Sequence, residues 1–169
     1  MANLITKSNL FSEARNNIVD IVSANVSDPI SSASEFRKWI YAREPDIKSA
    51  GFKGFPIIII HPSELGIDEN RKSLDLKSKQ VNWTIEIEIV SSDRGNGSNG
   101  GKGLSHMDSI SNSIMEVLND KTNLNTLRSN RLHKLTFSTS GVITESLADE
   151  LVYRRSFILS MMAKFQTSS

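Results

Sequence analysis

Val81-Asn82-Trp83-Thr84-Ile85-Glu86-Ile87-Glu88-Ile89 alternates apolar and polar side chains without a break. A strand turns successive side chains to opposite faces, so this period of two predicts a long strand with one buried face. Val81, Trp83, Ile85, Ile87 and Ile89 belong to the core side. Asn82, Thr84, Glu86 and Glu88 belong to a side that meets water or a partner. Upstream, Pro56-Ile57-Ile58-Ile59-Ile60-His61-Pro62 is a continuous β-branched run closed by prolines, which fits a short strand buried on both faces.

The pattern changes period on either side of these strands. Phe11, Ala14, Ile18, Ile21 and Val22 recur at helical spacing, predicting an amphipathic helix over 11–26 that stops before Pro29. Residues 27–54 form an irregular segment or arm, with a short strand at 39–42. A polar, glycine-rich loop over 91–103 leads into a second helix with the stripe Leu104, Met107, Ile110, Ile114, Val117 and Leu118, which frays near Asn119-Asp120. Leu132 to Thr139 reads as a strand, 141–148 as a turn or short arm. Leu151 to Phe165 reads as a long strand with Tyr153, Phe157, Leu159, Met161, Ala163 and Phe165 on one face. The expectation is one α+β domain over 1–169 in the order α-β-β-α-β-β, a mixed or antiparallel sheet with two helices packed on one face.

Composition narrows the chemistry. The 169 residues include no cysteine, which removes thiol nucleophiles, disulfides and cysteine-ligated metals. With 20 Lys+Arg against 19 Asp+Glu and a pI near 8.0, the chain lacks the global positive field of a nucleic-acid binder. No charge-free apolar run approaches the roughly 18 residues of a membrane span, so neither membrane insertion nor export on a signal peptide is expected. The near-neutral total hides a segregation: net +1 over 1–61, −4 over 62–120 and +4 over 121–169. Such a distribution suits head-to-tail contact between copies of the chain, although solvated charge without a partner is the commoner reason for it.

No catalytic constellation emerges. Gly95, Gly97, Gly100, Gly101, Lys102 and Gly103 invite comparison with phosphate-binding loops, but Asn96 stands where the first Walker glycine belongs and Gly103 where the hydroxyl belongs; the segment reads as a mobile loop. His61, His106 and His133 are scattered without metal-ligand spacing, and Ser105-His106 with Asp108 diverge on a helix. Glu86 and Glu88 share a strand face and could act as an acid/base pair or hold a hard cation, yet any solvated face looks the same. Arg128, Arg131 and Lys134, which precede and enter the third strand, and Arg154 and Arg155 in the last strand, lack interleaved aromatics apart from Tyr153 and fit subunit contacts or solvated charge better than base stacking. Neither cofactor nor metal is expected.

Taken together, the first helix, Gly54-Phe55-Pro56-Ile57-Ile58-Ile59, the Trp83 to Ile89 strand, the helix ending Ile114-Met115-Glu116-Val117-Leu118 and the strand Val152-Tyr153-Arg154-Arg155-Ser156-Phe157-Ile158-Leu159 resemble the tail terminator (tail completion, neck) proteins of long-tailed bacteriophages. The likeness is one of element order and length over roughly residues 10–165. It implies a virion structural protein, not an enzyme: a homo-oligomeric ring, usually of six subunits, assembled in the host cytoplasm. Such a ring caps the head-proximal end of the tail tube, ends its polymerisation and offers a docking face to the head–tail connector. DNA would only pass through the lumen, and no membrane is involved. Glu86, Glu88, Arg128, Arg131, Arg154 and Arg155 are then candidate subunit or tube contacts. Two alternatives stand beside this: a head-completion or neck adaptor of the same virion type, and a small anion- or nucleotide-binding domain using the Gly95–Gly103 loop.

Overall fold

The computed structural model describes residues 10–30, 37–61, 64–66, 78–94, 101–147 and 150–166. Its elements run α1 (Leu10–Asn25), β1 (Ile40–Tyr41), β2 (Ile57–Ile60), β3 (Glu64–Gly66), β4 (Ser78–Ser92), α2 (Gly103–Asn119), α3 (Lys121–Ser129), β5 (Leu132–Thr139), β6 (Ile143–Leu147) and β7 (Glu150–Gln166). The protein is α+β, with a mixed, mostly antiparallel sheet.

The two long strands form the spine. β4 and β7 pair antiparallel from Ser78↔Gln166 to Ser92↔Val152. β2 and β3 pair antiparallel with β4 on its other side, and β1 adds to β2 as the one parallel pair. β5 and β6 lie end to end along β7, β5 against its C-terminal half and β6 against its beginning.

Alternation then decides the layers. Ile85, Ile87 and Ile89 of β4 and Phe157, Leu159 and Met161 of β7 share the face on which α1 and α2 lay Ala14, Ile18 and Val22 and Met107, Ile110 and Ile114. Burying each large side chain of this kind contributes about 1.5–3 kcal/mol, and this layer is the larger of the two buried clusters among the described residues. The opposite face carries a smaller cluster of Ile57, Ile59, Val90 and Val152, covered by Tyr41, Phe52 and Phe55. The four isoleucines of β2 are therefore buried on both faces, as their unbroken β-branched run requires. Residues 37–55 provide the second cover, and their strand, expected over 39–42, is β1.

Asn17 joins the helices. Buried in α1, it donates to the Glu13 carbonyl (2.7 Å) and accepts from Asn130 Nδ2 (2.6 Å) at the end of α3. Arg37 does the same for the cover segment: its guanidinium meets the Asp28 carboxylate at 2.5 and 2.8 Å and donates to the Gly54 and Pro56 carbonyls at 2.8 and 2.6 Å.

Four features differ from expectation, the first being β3, a strand over Glu64–Gly66 that pairs with β4 where none was foreseen. A third helix, α3, follows α2 directly where only a frayed end was foreseen. Asp120 makes the break, leaving the helix with extended backbone and accepting from the Asn123 amide to cap the next one. Residues 143–147 form β6 rather than a turn or arm. Gly103 is the first residue of α2 rather than the last of the loop. Among the described residues, no helix is long and apolar enough to cross a membrane.

Candidate functional site

The densest polar cluster lies on the face of the sheet opposite the helices, and strand register builds it. Ile60 sits opposite Ile87, so His61 extends β2 beside Glu86 and its amide donates to the Glu86 carbonyl (2.9 Å). From there its ring reaches diagonally to Glu88, with Nε2 and Oε2 2.8 Å apart. On the other flank Val90 opposes Arg154, and Arg154 also reaches diagonally, donating through Nη1 to Glu88 Oε1 (2.7 Å). Glu145 of β6 and Glu44 of the cover segment approach the same guanidinium at 3.2 and 3.7 Å. Three carboxylates thus share one arginine.

Burial alone would raise the Glu88 carboxyl, whose side chain is only 14% exposed. Hydrogen bonds and charge from Arg154 and His61 outweigh burial and hold it below its ordinary value. Arg154 moves in the complementary direction: desolvation would lower it, and Glu88 and Glu145 raise it. Below the cluster, a pocket of about 100 Å3 has an apolar floor of Ile57, Ile59 and Val152 and a rim of Glu44, Glu145 and Arg154. That is well under the roughly 300–1,000 Å3 of a small-molecule site.

The candidate residues separate. Glu88 and Arg154 meet. Glu86, half-buried opposite Ile158, shares their face without joining the ion pairs among the described residues. Arg155 turns to the helix side, where Nη1 lies 3.3 Å from Asp108 and 3.0 Å from the Ser111 hydroxyl of α2. Arg128 is exposed in the last turn of α3, and Arg131 follows with positive φ (71°) at the entrance to β5, at the far end of β7. A Glu86–Glu88 acid/base pair is disfavoured by the geometry, because Glu88 is committed to two partners. Among the described residues no group of three or more His, Asp or Glu side chains could hold a metal.

Gly95, Gly97 and Gly100 lie outside the described residues. At the far end of the loop, Asp93 fastens the entry to α2: its carbonyl accepts from Gly101 N (3.0 Å), its Oδ1 from Gly103 N (2.9 Å) and its Oδ2 from the Tyr153 hydroxyl (2.6 Å). The hydrogen bond to Asp93 and burial raise the Tyr153 phenol above its ordinary value. A Cβ on Gly103 would lie 2.7–2.8 Å from the Tyr153 ring, the Asp93 carboxylate and the Ser92 backbone, so only glycine fits there. Lys102, the N-cap of α2, is exposed. The protein's own carboxylate therefore occupies the amide end of α2 that an anion would need.

His61, Glu44, Glu145 and Asp93 were not singled out by sequence as members of a site. The signal for His61 was present, since two paired strands of clear pattern fix a register; no local signal marks the others. A scan against protein-family models and a search of curated proteins find no match.

Proposed function

We propose that this chain is a structural virion protein of the tail-terminator type, an oligomeric ring that caps the head-proximal end of a tail tube and presents a docking face to the head–tail connector. The observation that carries the reading is the placement of charge along β7. Glu44, Glu88, Glu145 and Glu150 gather where β7 begins, four carboxylates around the two guanidinium groups of Arg94 and Arg154; Arg128, Arg131 and Lys134 lie where it finishes. The two groups are separated by about eight residues of strand, roughly 26 Å. A subunit that is acidic at one end and basic at the other favours heterologous contact with copies of itself, and such contacts close into rings when the rotation permits. The resemblance in element order and length supplies the tail and the capping role.

The nucleotide-binding alternative loses its main support, because Asp93 already satisfies the amide that opens α2. Electron microscopy of the purified protein mixed with tail tubes tests the proposal. Rings seated on one end of tubes of arrested length support it; protein that ignores tube ends defeats it.

A further inference from the structure

Among the described residues β1, β3, β5 and β6 each pair with a strand on one side only. Three of these edges are closed to further pairing. β1 is two residues long and β3 three, while β5 breaks register between His133 and Thr136 and carries the exposed Lys134 there with positive φ (54°). Short length, a bulge and an edge lysine each discourage a new strand. β6 has none of these devices. Its five residues pair with β7 without a break from Ile143↔Arg154 to Leu147↔Glu150, and they include neither proline nor lysine. Ile143, Thr144, Glu145 and Ser146 are all exposed, so both faces of the strand are bare as well as its outer edge.

We propose that β6 takes on a further strand from a different protein, an extended segment with Lys or Arg two residues from an apolar side chain. Strand addition at an edge draws affinity from main-chain hydrogen bonds and specificity from alternate side chains. Alternation puts Ile143 and Glu145 on the cover-segment face, level with Arg154 and Val152, and Thr144 and Ser146 on the helix face. Ile143 is 58% exposed, an apolar surface that the fold itself leaves unused. The Glu145 side chain is 50% exposed and shares Arg154 with Glu44 and Glu88, so carboxylates outnumber the guanidinium they surround. A basic residue opposite Glu145 and an apolar one opposite Ile143 complement both. A second β6 is a poor occupant: paired antiparallel about Glu145 it sets two glutamates opposite each other, and about Thr144 it sets Glu145 against Ile143. The inference does not depend on ring formation, since the edge belongs to one subunit.

The probe is the synthetic peptide Ac-Thr-Leu-Thr-Lys-Thr-Leu-Thr-NH2, which as a strand sets leucine and lysine on one face. Fluorescence anisotropy of the labelled peptide measures binding, and hydrogen exchange locates it. The expected result is saturable binding with slowed exchange over 143–147 and not over 132–139. Glu145→Lys should weaken binding about tenfold or more and should instead favour the peptide with glutamate in place of its lysine. The position is exposed, so the variant should keep its fold, as circular dichroism can verify. Absence of saturable binding, slowing confined to β5, undiminished affinity of a peptide whose alternate amides are N-methylated, or no reversal of charge preference in the variant would each overturn the proposal. Exchange over 143–147 that slows as the concentration of the protein alone is raised would mean that a second copy fills the edge, and would overturn it equally.

Discussion

Burial by itself would make Glu88 a weaker acid, yet Arg154 and His61 stand within hydrogen-bond distance and reverse the direction. A carboxyl held below its unfolded value contributes stability that is complete above that value and lost as pH falls through the folded one. Stability should therefore decline on acidification below about 4.5, the ordinary value for this group. His106 adds an earlier step: burial first, then the Lys102 and Arg37 charges, lower its ring below the ordinary 6.5, and Asp28 only partly opposes them. Protonation favours the unfolded chain there, so loss should begin as pH drops past 6.5. Urea midpoints measured from pH 8 to pH 3 check both, with Glu88→Gln removing the lower step and His106→Gln the upper. Arg37 carries a larger single-residue stake. Its pair with Asp28 leaves the two side chains only 10% and 6% exposed, and Arg37→Met would strand a buried carboxylate at a cost of about 3–5 kcal/mol. Chemical denaturation of the variant measures that loss directly.

Among the elements, those with a strong buried stripe were legible in the sequence and those without were not. β4, β7, α1 and α2 announce themselves because Ile85, Ile87, Ile89, Phe157 and Leu159, or Ile18, Val22, Met107 and Ile114, repeat with the period of the element that buries them. In α3 only Leu127 is buried, too short a stripe to register; the legible sign was Asp120, a cap residue just ahead of it. β6 alternates Ile143-Thr144-Glu145, but Ile143 is 58% exposed, so its pairing with β7 rather than any core contact makes it a strand. The site shows the same division. Glu88 and Arg154 stood out as strand charges, whereas their meeting needed the register of three strands. Gly103 tests the element-level account: Gly103→Ala should destabilise the protein by about 1–3 kcal/mol, because the Ser92 backbone cannot yield as a flexible side chain would. A thermal melt of the variant with Gly141→Ala as control, where a Cβ meets nothing, reads the difference.

For the whole molecule, near-neutral composition conceals charge segregated along the chain, net −4 over 62–120 and +4 over 121–169, with a packed layer of helices on one face of the sheet and a charged cluster on the other. Exposed charges attract over about 10 Å at 0.1 M salt and about 3 Å at 1 M, so association through these charges should weaken as salt rises. Reversing the basic end with Arg128→Glu/Lys134→Glu, both exposed positions, should reduce association at low salt without lowering the melting temperature. The most direct test of the central claim is the mass of the purified protein by light scattering across a range of concentrations at low and high salt. The account predicts a closed oligomer of fixed size at low salt, giving way to smaller species as salt increases. A particle of 18.8 kDa at every concentration and salt would contradict it.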